Sequence, residues 1–504
     1  MLWLIIGFGV LLRLLFMGVL NLLPEEAYYW NYASHLDIGY LDHPPMVGWL
    51  IYLSTSVLGR SEFAVRLPAF LGWFLFAFFM YRLTENAVGK GGGKPVLLLL
   101  AALPIYMSVG FLMTPDAPLY ACWAGALFFL EKALFGQRRS AWYGVGVCLG
   151  LGLLSKYTMG LMIAATVMYL LLDKESRHWF RKPQPYLALA IGLVLFLPVL
   201  IWNAQHGWAS FAFQGSRRWS GGPEFQLHVL IGSMLVLITP LGLYEVMKVL
   251  SDFWKNRMAA YKADVLLFRK HLFLATFTLV PLAVFIIHSL QGQPKLNWTG
   301  PVWLAVLPLV AGGISGVGIV GLRNKPLSVS KRWIVTASAL LIFYFGGFGY
   351  LIAGMPGTPK GSGMKFPIAW KVYGDRIEKI ESDLESKTNS EPVVIGLDEY
   401  WLASEASFYD SDAADDVDNT DALPEIAGEN LVGGNSVMWN SWVPPPSAAG
   451  RNGILVSFAK DRLKQSWVTR HFSKVGEIQK ETLTNGNDEI GHFYWRLGYD
   501  YNPE

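Results

Sequence analysis

Long apolar runs separated by short polar segments dominate the chain up to about residue 353. They fall near 2–23, 63–83, 95–113, 116–134, 141–155, 158–172, 184–202, 225–247, 272–289, 301–321 and 333–353. About 20 apolar residues in helical conformation cross a bilayer, so the pattern predicts about eleven transmembrane helices. The fifth and sixth runs are short, and Ser155-Lys156-Tyr157 between them reads as a tight turn. From about Lys360 the chain becomes polar. Val393–Leu397 and Ile454–Ser457 read as buried strands, Tyr400–Tyr409 as a helix, and the alternating segment Ile490–Leu497 as a strand. The expected architecture is a polytopic α-helical membrane module, residues 1–356, followed by a small soluble α/β domain, residues 357–504.

Composition agrees with this division. Of 504 residues, 53% are hydrophobic and only 16% charged, against about 25% in soluble proteins. Up to Gly357 there are 27 Lys and Arg against 14 Asp and Glu, and beyond it 14 against 24. A basic membrane part and an acidic soluble part form a membrane-sorting signature, not a nucleic-acid one. Both cysteines, Cys122 and Cys148, lie in apolar runs, so no disulfide is expected in the soluble domain. The first run is too long for a signal-peptide core and lacks a small-residue cleavage site, so it is expected to be retained.

Lys and Arg in the short loops set the orientation. One set of loops carries nearly all of them, including Arg82, Lys132, Arg138, Arg177, Lys255, Arg269 and Lys331; the opposite set holds only Arg60, Lys156, Arg217, Arg218 and Lys295. The first set is expected in the cytoplasm. The N-terminus is then inside, with residues 24–60 and the C-terminal domain outside: the periplasmic side of a bacterial inner membrane. Each outer cation either snorkels to lipid headgroups or belongs to a site for an anionic group at the outer leaflet.

The first outer loop concentrates chemistry. Pro24-Glu25-Glu26 suits the first turn of a helix. Tyr29, Trp30 and Ala33 share one face, which suggests a helix lying in the membrane interface. His43-Pro44-Pro45 would start a second short helix, Met46–Leu58. The two glutamates could simply cap their helix, but carboxylates at a membrane edge beside aromatics, a His and Asp42 are functional candidates.

These residues resemble glycosyltransferase family 39, which includes protein O-mannosyltransferases and lipid A aminoarabinose transferases. The resemblance rests on the acidic pair Glu25-Glu26, Asp42-His43-Pro44-Pro45 and Arg66-Leu67-Pro68. It continues through Thr114-Pro115-Asp116-Ala117-Pro118, Leu154-Ser155-Lys156-Tyr157 and Asn297-Trp298-Thr299-Gly300-Pro301, and the segment Tyr400–Tyr409 is similar to the soluble domain of bacterial members. The chain has Glu25 where the family usually has Asp, and His43 is closer to the mannosyltransferases. The resemblance implies a GT-C membrane fold and a sugar donor carried on a polyprenyl phosphate. The function expected is inverting transfer of that sugar to a hydroxyl of a lipid, glycan or protein.

In such a transfer the leaving phosphate is stable as an anion. One carboxylate base and a cationic cradle suffice, unlike the paired carboxyls of glycosidases. The resemblance assigns the base to Glu25, with Glu26 second. Asp116 could orient the acceptor or the base, or be an ordinary acid at a helix start. Lys156 and Tyr157 are assigned to the donor phosphate. Arg66 could hold phosphate or brace the first loop, and His43 could donate to phosphate or cap the next helix. Arg217 and Arg218 lie in the aromatic loop 203–224, either a mobile cover or a plain surface loop. Asp42 and Lys295 complete the expected substrate-binding set. No metal-ligand pattern is present: the acidic run Asp410–Asp421 lacks the Gly and bidentate Glu of an EF-hand and reads as a solvated loop. No cofactor is expected beyond the donor. The competing reading is a transporter or flippase of a lipid-linked sugar, which should show inverted repeats and polar or broken helices at the midplane; here the ionisable residues gather on the outer edge, apart from Arg13.

Overall fold

The computed structural model describes residues 1–219, 225–316, 329–353, 366–410, 425–486 and 488–503. In chain order its first helices are α1 (Leu2–Phe16), α2 (Pro24–Ser34), α3 (Met46–Leu58), α4 (Glu62–Val88), α5 (Gly93–Ala102), α6 (Pro104–Val109), α7 (Asp116–Leu134), α8 (Ala141–Ser155) and α9 (Leu161–Leu172). They are followed by α10 (Pro183–Gln205), α11 (Ala209–Trp219), α12 (Leu227–Ala263), α13 (Val265–Ser289), α14 (Trp303–Ile314), α15 (Lys331–Ala353) and α16 (Phe366–Thr388). Then come β1 (Val393–Gly396), α17 (Trp401–Tyr409), β2 (Ile426–Gly428), β3 (Gly453–Ser457), β4 (Phe472–Val475), β5 (Gln479–Asn485) and β6 (Asp488–Tyr501), with short helical turns between. The chain is a multi-span helical membrane protein with a C-terminal β-sheet domain. Among the described residues, five helices are long and apolar enough to cross a bilayer alone, and several shorter apolar helices accompany them. Phe343, Ile342, Val194 and Phe78 are exposed on such helices, as lipid-facing residues should be.

The chain divides into two compact units. The first comprises Met1–Leu15, Ile38–Val47 and Arg66–Phe345. Here α8 packs against both α7 and α10. A Cβ on Gly146 would stand 2.5 Å from the Ala188 carbonyl oxygen, so only glycine allows the backbones of α8 and α10 to approach this closely.

The run at 95–113, expected as one span, is broken between α5 and α6. Pro104 has no N–H to donate to the carbonyl of Leu100, and Leu103 turns extended. Arg13 supplies the missing donor: its Nη2 reaches Leu100 O at 3.2 Å and Tyr106 O at 2.9 Å, and Nη1 reaches Gly9 O at 2.8 Å. Its guanidinium also lies 4.6 Å over the Trp73 ring. The buried arginine thus braces a broken helix.

Two stretches expected as loops are helical. α12 continues to Ala263 through residues expected to be a cytoplasmic loop, because Val246, Val249, Phe253 and Ala260 recur on one buried face. Within α12, Thr239 at φ 66 marks a kink next to Pro240. The stretch 203–224 is also largely helical: α10 runs to Gln205, and the Asn203 side chain accepts hydrogen bonds from Ser210 N and Phe211 N to start α11.

The second unit comprises Phe16–Asp37, Gly48–Val65 and Gly346–Glu504. Its sheet runs β2-β1-β3-β6-β4, with β5 paired to β6. β1 is parallel to β2 and β3, whereas β6 is antiparallel to β3, β4 and β5. The apolar strands β1 and β3 are buried along their whole length. The expected strands at 393–397, 454–457 and 490–497 all lie in this sheet.

α2 differs from expectation. All its residues except Glu25 and Ser34 are buried, so it is a core helix of the second unit and not an interfacial one. It packs on α17: Trp30 meets Phe408 edge to face at 5.2 Å, and Ser407 Oγ donates to Asn31 Oδ1 at 2.9 Å. Tyr28 stacks near Tyr400 at 4.7 Å, and its hydroxyl accepts from Met438 N at 3.3 Å. The family-like segments Pro24–Trp30 and Tyr400–Tyr409 are thus the two sides of one packing interface. Most of the acidic run, residues 411–421, lies outside the described residues.

Candidate active site

Within the first unit, three distant family-like segments converge on one carboxylate. Asp116 opens α7 directly after Pro115. Lys156 follows α8 with extended backbone (φ −158, ψ 135), which turns its side chain out of the helical path. Its Nζ donates to Asp116 Oδ1 at 2.9 Å and to Oδ2 at 3.1 Å. Asn297 Nδ2 donates to Asp116 Oδ2 as well. Gly300 seats the Asn297 segment: a Cβ there would overlap the Tyr120 hydroxyl, at 1.7 Å, so glycine lets this segment close onto α7. Asp116 and Lys156 are only 5% and 8% exposed. Such a pair is expensive to desolvate, and its worth as a fold stabiliser is small. Two of the three ammonium protons go to one carboxylate, and the third remains for another acceptor.

Next to Lys156, the Tyr157 hydroxyl bonds Ser210 Oγ at 2.6 Å, and Phe211 lies 5.6 Å from the Tyr157 ring. Asp42 acts electrostatically on Tyr157, and its backbone carbonyl accepts from Gln214 Nε2. His43 is half-buried and followed by buried Pro44 and Pro45. Arg66 is 1% exposed, with its guanidinium 5.1 Å over the Phe111 ring. Lys295 is exposed, two residues before Asn297. Arg217 and Arg218 lie on α11, and their side chains are outside what is described. The structure therefore joins Asp116 to Lys156 and links Asp42 to Tyr157 in one unit.

In the second unit the two glutamates diverge. Glu26 is fully buried, and its carboxylate accepts from Leu23 N at 3.1 Å, closing the start of α2 by the acid half of a capping box. Glu25 points to solvent at the same helix start.

Sequence reasoning missed Asn297, whose segment also reads as a chance glycosylation sequon. The usable signal was a polar residue inside a family-like motif at the edge of a span. It also missed Ser210 and Asn203, which sit in a stretch expected to be a loop.

The first unit carries an apolar groove. Met159 and Met162, just after Lys156 in sequence, line it together with Leu149, Trp142, Phe180 and Leu189. Among the described residues there is no group of three or more His, Cys, Asp or Glu placed to hold a metal ion.

The dolichyl-phosphate-mannose-protein mannosyltransferase family model matches residues 42–202. The lipid A galacturonosyltransferase RgtD of Rhizobium johnstonii is 30% identical over 196 residues, covering 36% of this chain and 38% of that protein. The lipopolysaccharide core galacturonosyltransferase RgtA of the same organism is 23% identical over 342 residues, 67% of this chain and 61% of its own. The chain thus spans less than two thirds of the length of these curated relatives. The solved structure of ArnT from Cupriavidus metallidurans in the apo state aligns over 98% of this chain and 97% of its own, with TM-score 0.63 and 13% identity. The chain has the fold of ArnT and is similar in sequence to the protein mannosyltransferase family model and to the Rgt galacturonosyltransferases over the stretches given.

Proposed function

We propose that this protein is a membrane glycosyltransferase that moves a sugar from a polyprenyl-phosphate carrier to an acceptor hydroxyl on the periplasmic face of a bacterial inner membrane. The observation that carries the reading is the buried Asp116–Lys156–Asn297 cluster. A desolvated ammonium with an unspent donor, held by a carboxylate that an amide holds in turn, is a site for an anionic oxygen. The groove lined by Met159 and Met162 suits an isoprenoid tail, which needs apolar walls and no polar partner.

In this reading Lys156 holds the donor phosphate, with Asp116 fixing the ammonium and Asn297 fixing Asp116. Tyr157, Asp42, His43, Arg66, Lys295, Arg217 and Arg218 are further candidates for contact with donor or acceptor. Glu25 is the general base: its carboxylate takes the proton of the acceptor hydroxyl as that oxygen bonds to the anomeric carbon. The bond from that carbon to the phosphate breaks on the opposite side, and the polyprenyl phosphate leaves as an anion. Configuration inverts. Glu26, tied to its helix start, is the poorer base.

Glu25→Gln tests the assignment, because it keeps the shape of the side chain and removes its basicity. Product formation is followed with purified protein in nanodiscs, with membrane lipid extract supplying donor and acceptor. Loss of a general base costs about 10²–10⁴-fold in rate, and that fall is expected with donor binding unchanged. Turnover within threefold of wild type defeats the assignment of Glu25. Loss confined to Glu26→Gln moves the base by one residue.

A further inference from the structure

The soluble domain has a feature that the transfer chemistry does not use. In its sheet the order β2-β1-β3 means that the chain leaves β1 toward β2 but leaves β3 toward the far side, where β4 lies beyond β6. The loops at the carboxyl ends of β1 and β3 therefore part in opposite directions and open a crevice. Open parallel sheets bind ligands at such switch points.

Each of the three parallel strands sends a charged side chain to this edge. Asp398 follows β1, and both its oxygens accept from Leu402 N, at 3.3 and 3.2 Å. Glu429 follows β2 and pairs with Arg462, which lies in the short turn after β3. Asp398 feels the charges of both Glu429 and Arg462.

An independent feature marks the floor. Asn430 is 8% exposed; its Nδ2 donates to Val443 O at 2.7 Å, while its Oδ1 has no hydrogen-bond partner. That oxygen lies 3.1 Å from where a Cβ on Gly428 would stand, and Ser436 Oγ lies 2.6 Å from the same point. Gly428 thus lets the Ser436 and Asn430 side chains close onto the end of β2, with the unspent acceptor of Asn430 beside it. An unsatisfied buried carbonyl costs about 1–3 kcal/mol, which a donor from a ligand relieves. Beside the charged groups, Arg462 sits 5.7 Å from the ring of half-buried Trp467.

This set selects among ligands. Two carboxylates with one already-paired guanidinium disfavour phosphate. The guanidinium among the acids disfavours a cation such as calcium, which wants six to eight oxygens. Hydroxyls fit: they donate to Asp398, Glu429 and the Asn430 amide oxygen, accept from Arg462, and leave an apolar ring face for the Trp467 indole.

We propose that this crevice binds a neutral pyranose of the acceptor glycan, a proposal that rests on the transferase reading above. Burial, reinforced by the charge of Glu429, pushes the Asp398 carboxyl up to about 7 against the hydrogen bond from Leu402. Near neutral pH it can therefore donate to a sugar oxygen as well as accept from a hydroxyl.

The test uses the full-length protein in nanodiscs without donor, probed by saturation-transfer NMR with the methyl glycosides of glucose, galactose, mannose and heptose. At least one glycoside is expected to receive saturation. Asn430→Ala and Trp467→Ala are expected to weaken it at least tenfold and to raise the acceptor KM with little change in kcat. Glu429→Gln serves as a third variant, and thermal melting confirms that each remains folded. Failure of every glycoside to bind wild type, or equal binding by the folded variants, overturns the proposal. Because binding needs no donor, it is scored separately from transfer: a wild type that binds glycosides but transfers nothing contradicts the transferase reading and leaves the crevice as a sugar site.

Discussion

Helix α7 carries an acid near each end, and the two ends are built differently. Near its C-terminal end Glu131 pairs with Lys270 at 3.3 Å and accepts from Asn86 at 2.8 Å, while Lys270 also donates to Asn86 O at 2.6 Å. In the same unit, Asp173 accepts two bonds from Arg269 Nε at 3.0 Å, one from Nη2 at 2.8 Å, and others from Ser176 at 2.5 Å and Tyr169 at 3.1 Å. Burial would raise the Asp173 carboxyl, but the bonds from Arg269 and Ser176 hold it below the usual carboxylate range. In these networks each cation is tied to two neighbouring groups, Lys270 to Glu131 and the Asn86 carbonyl, and Arg269 to Asp173 and Ser176. At the N-terminal end the Lys156 ammonium bonds Asp116 alone among the described residues, keeping a donor in reserve, and Asn297 donates to the same carboxylate. Both ends bury charge, but at the N-terminal end the cation has a single partner group, so the number of groups that hold a buried cation separates a brace from a site better than burial does.

The largest effect expected is at the Asp173 network. Asp173→Ala leaves Arg269 buried without its counter-charge, which costs about 3–5 kcal/mol. Thermal unfolding in nanodiscs should drop sharply, while the folded fraction keeps its transfer rate. Lost turnover at unchanged melting would mean that Asp173 serves the chemistry and that the contrast fails.

A smaller effect carries the comparison to the soluble domain, where Asp398 is incompletely compensated. Its carboxyl lies at about 7 when folded, above the ordinary 3.8, so the folded state holds the proton more tightly than the unfolded one. Stability from this group is full below pH 4 and is lost as pH rises toward and through 7. Glu429 adds to the strain and Arg462 eases it. Asp398→Asn should raise the melting point at pH 8 and leave it nearly unchanged near pH 4. Equal shifts at both pH values would show that titration of Asp398 is not the cause.

Asn297→Ala should act least. It removes one hydrogen bond to Asp116, worth about 1–2 kcal/mol, and frees that carboxylate to bind the Lys156 ammonium more fully. Donor affinity should fall about threefold to tenfold without loss of folding. An unchanged affinity would take Asn297 out of the cluster.

Much of this was legible in the chain. The spans, the capping acids of α2, the helix after Pro44-Pro45 and the strands of the sheet follow from local periodicity and turn chemistry, which neighbouring residues determine. Asp116 and Lys156 were legible singly as candidates, but not as a pair, since 40 residues and a helix-ending turn separate them. Arg13 looked anomalous because its partners are carbonyls freed by Pro104, a relation between α1 and a distant broken helix. α2 looked interfacial because its aromatic face is visible in sequence, whereas α17, which covers it, lies hundreds of residues away.

The central claim is that the N-terminal end of α7 receives a lipid phosphate. The direct measurement is the affinity of purified protein in nanodiscs for undecaprenyl phosphate, by native mass spectrometry, for wild type, Lys156→Ala and Arg269→Lys. Losing a charge-assisted bond costs about 1.5–3 kcal/mol, so Lys156→Ala should bind about 10–150-fold more weakly, with Arg269→Lys close to wild type. Equal affinity of Lys156→Ala and wild type, with both folded, would contradict the account.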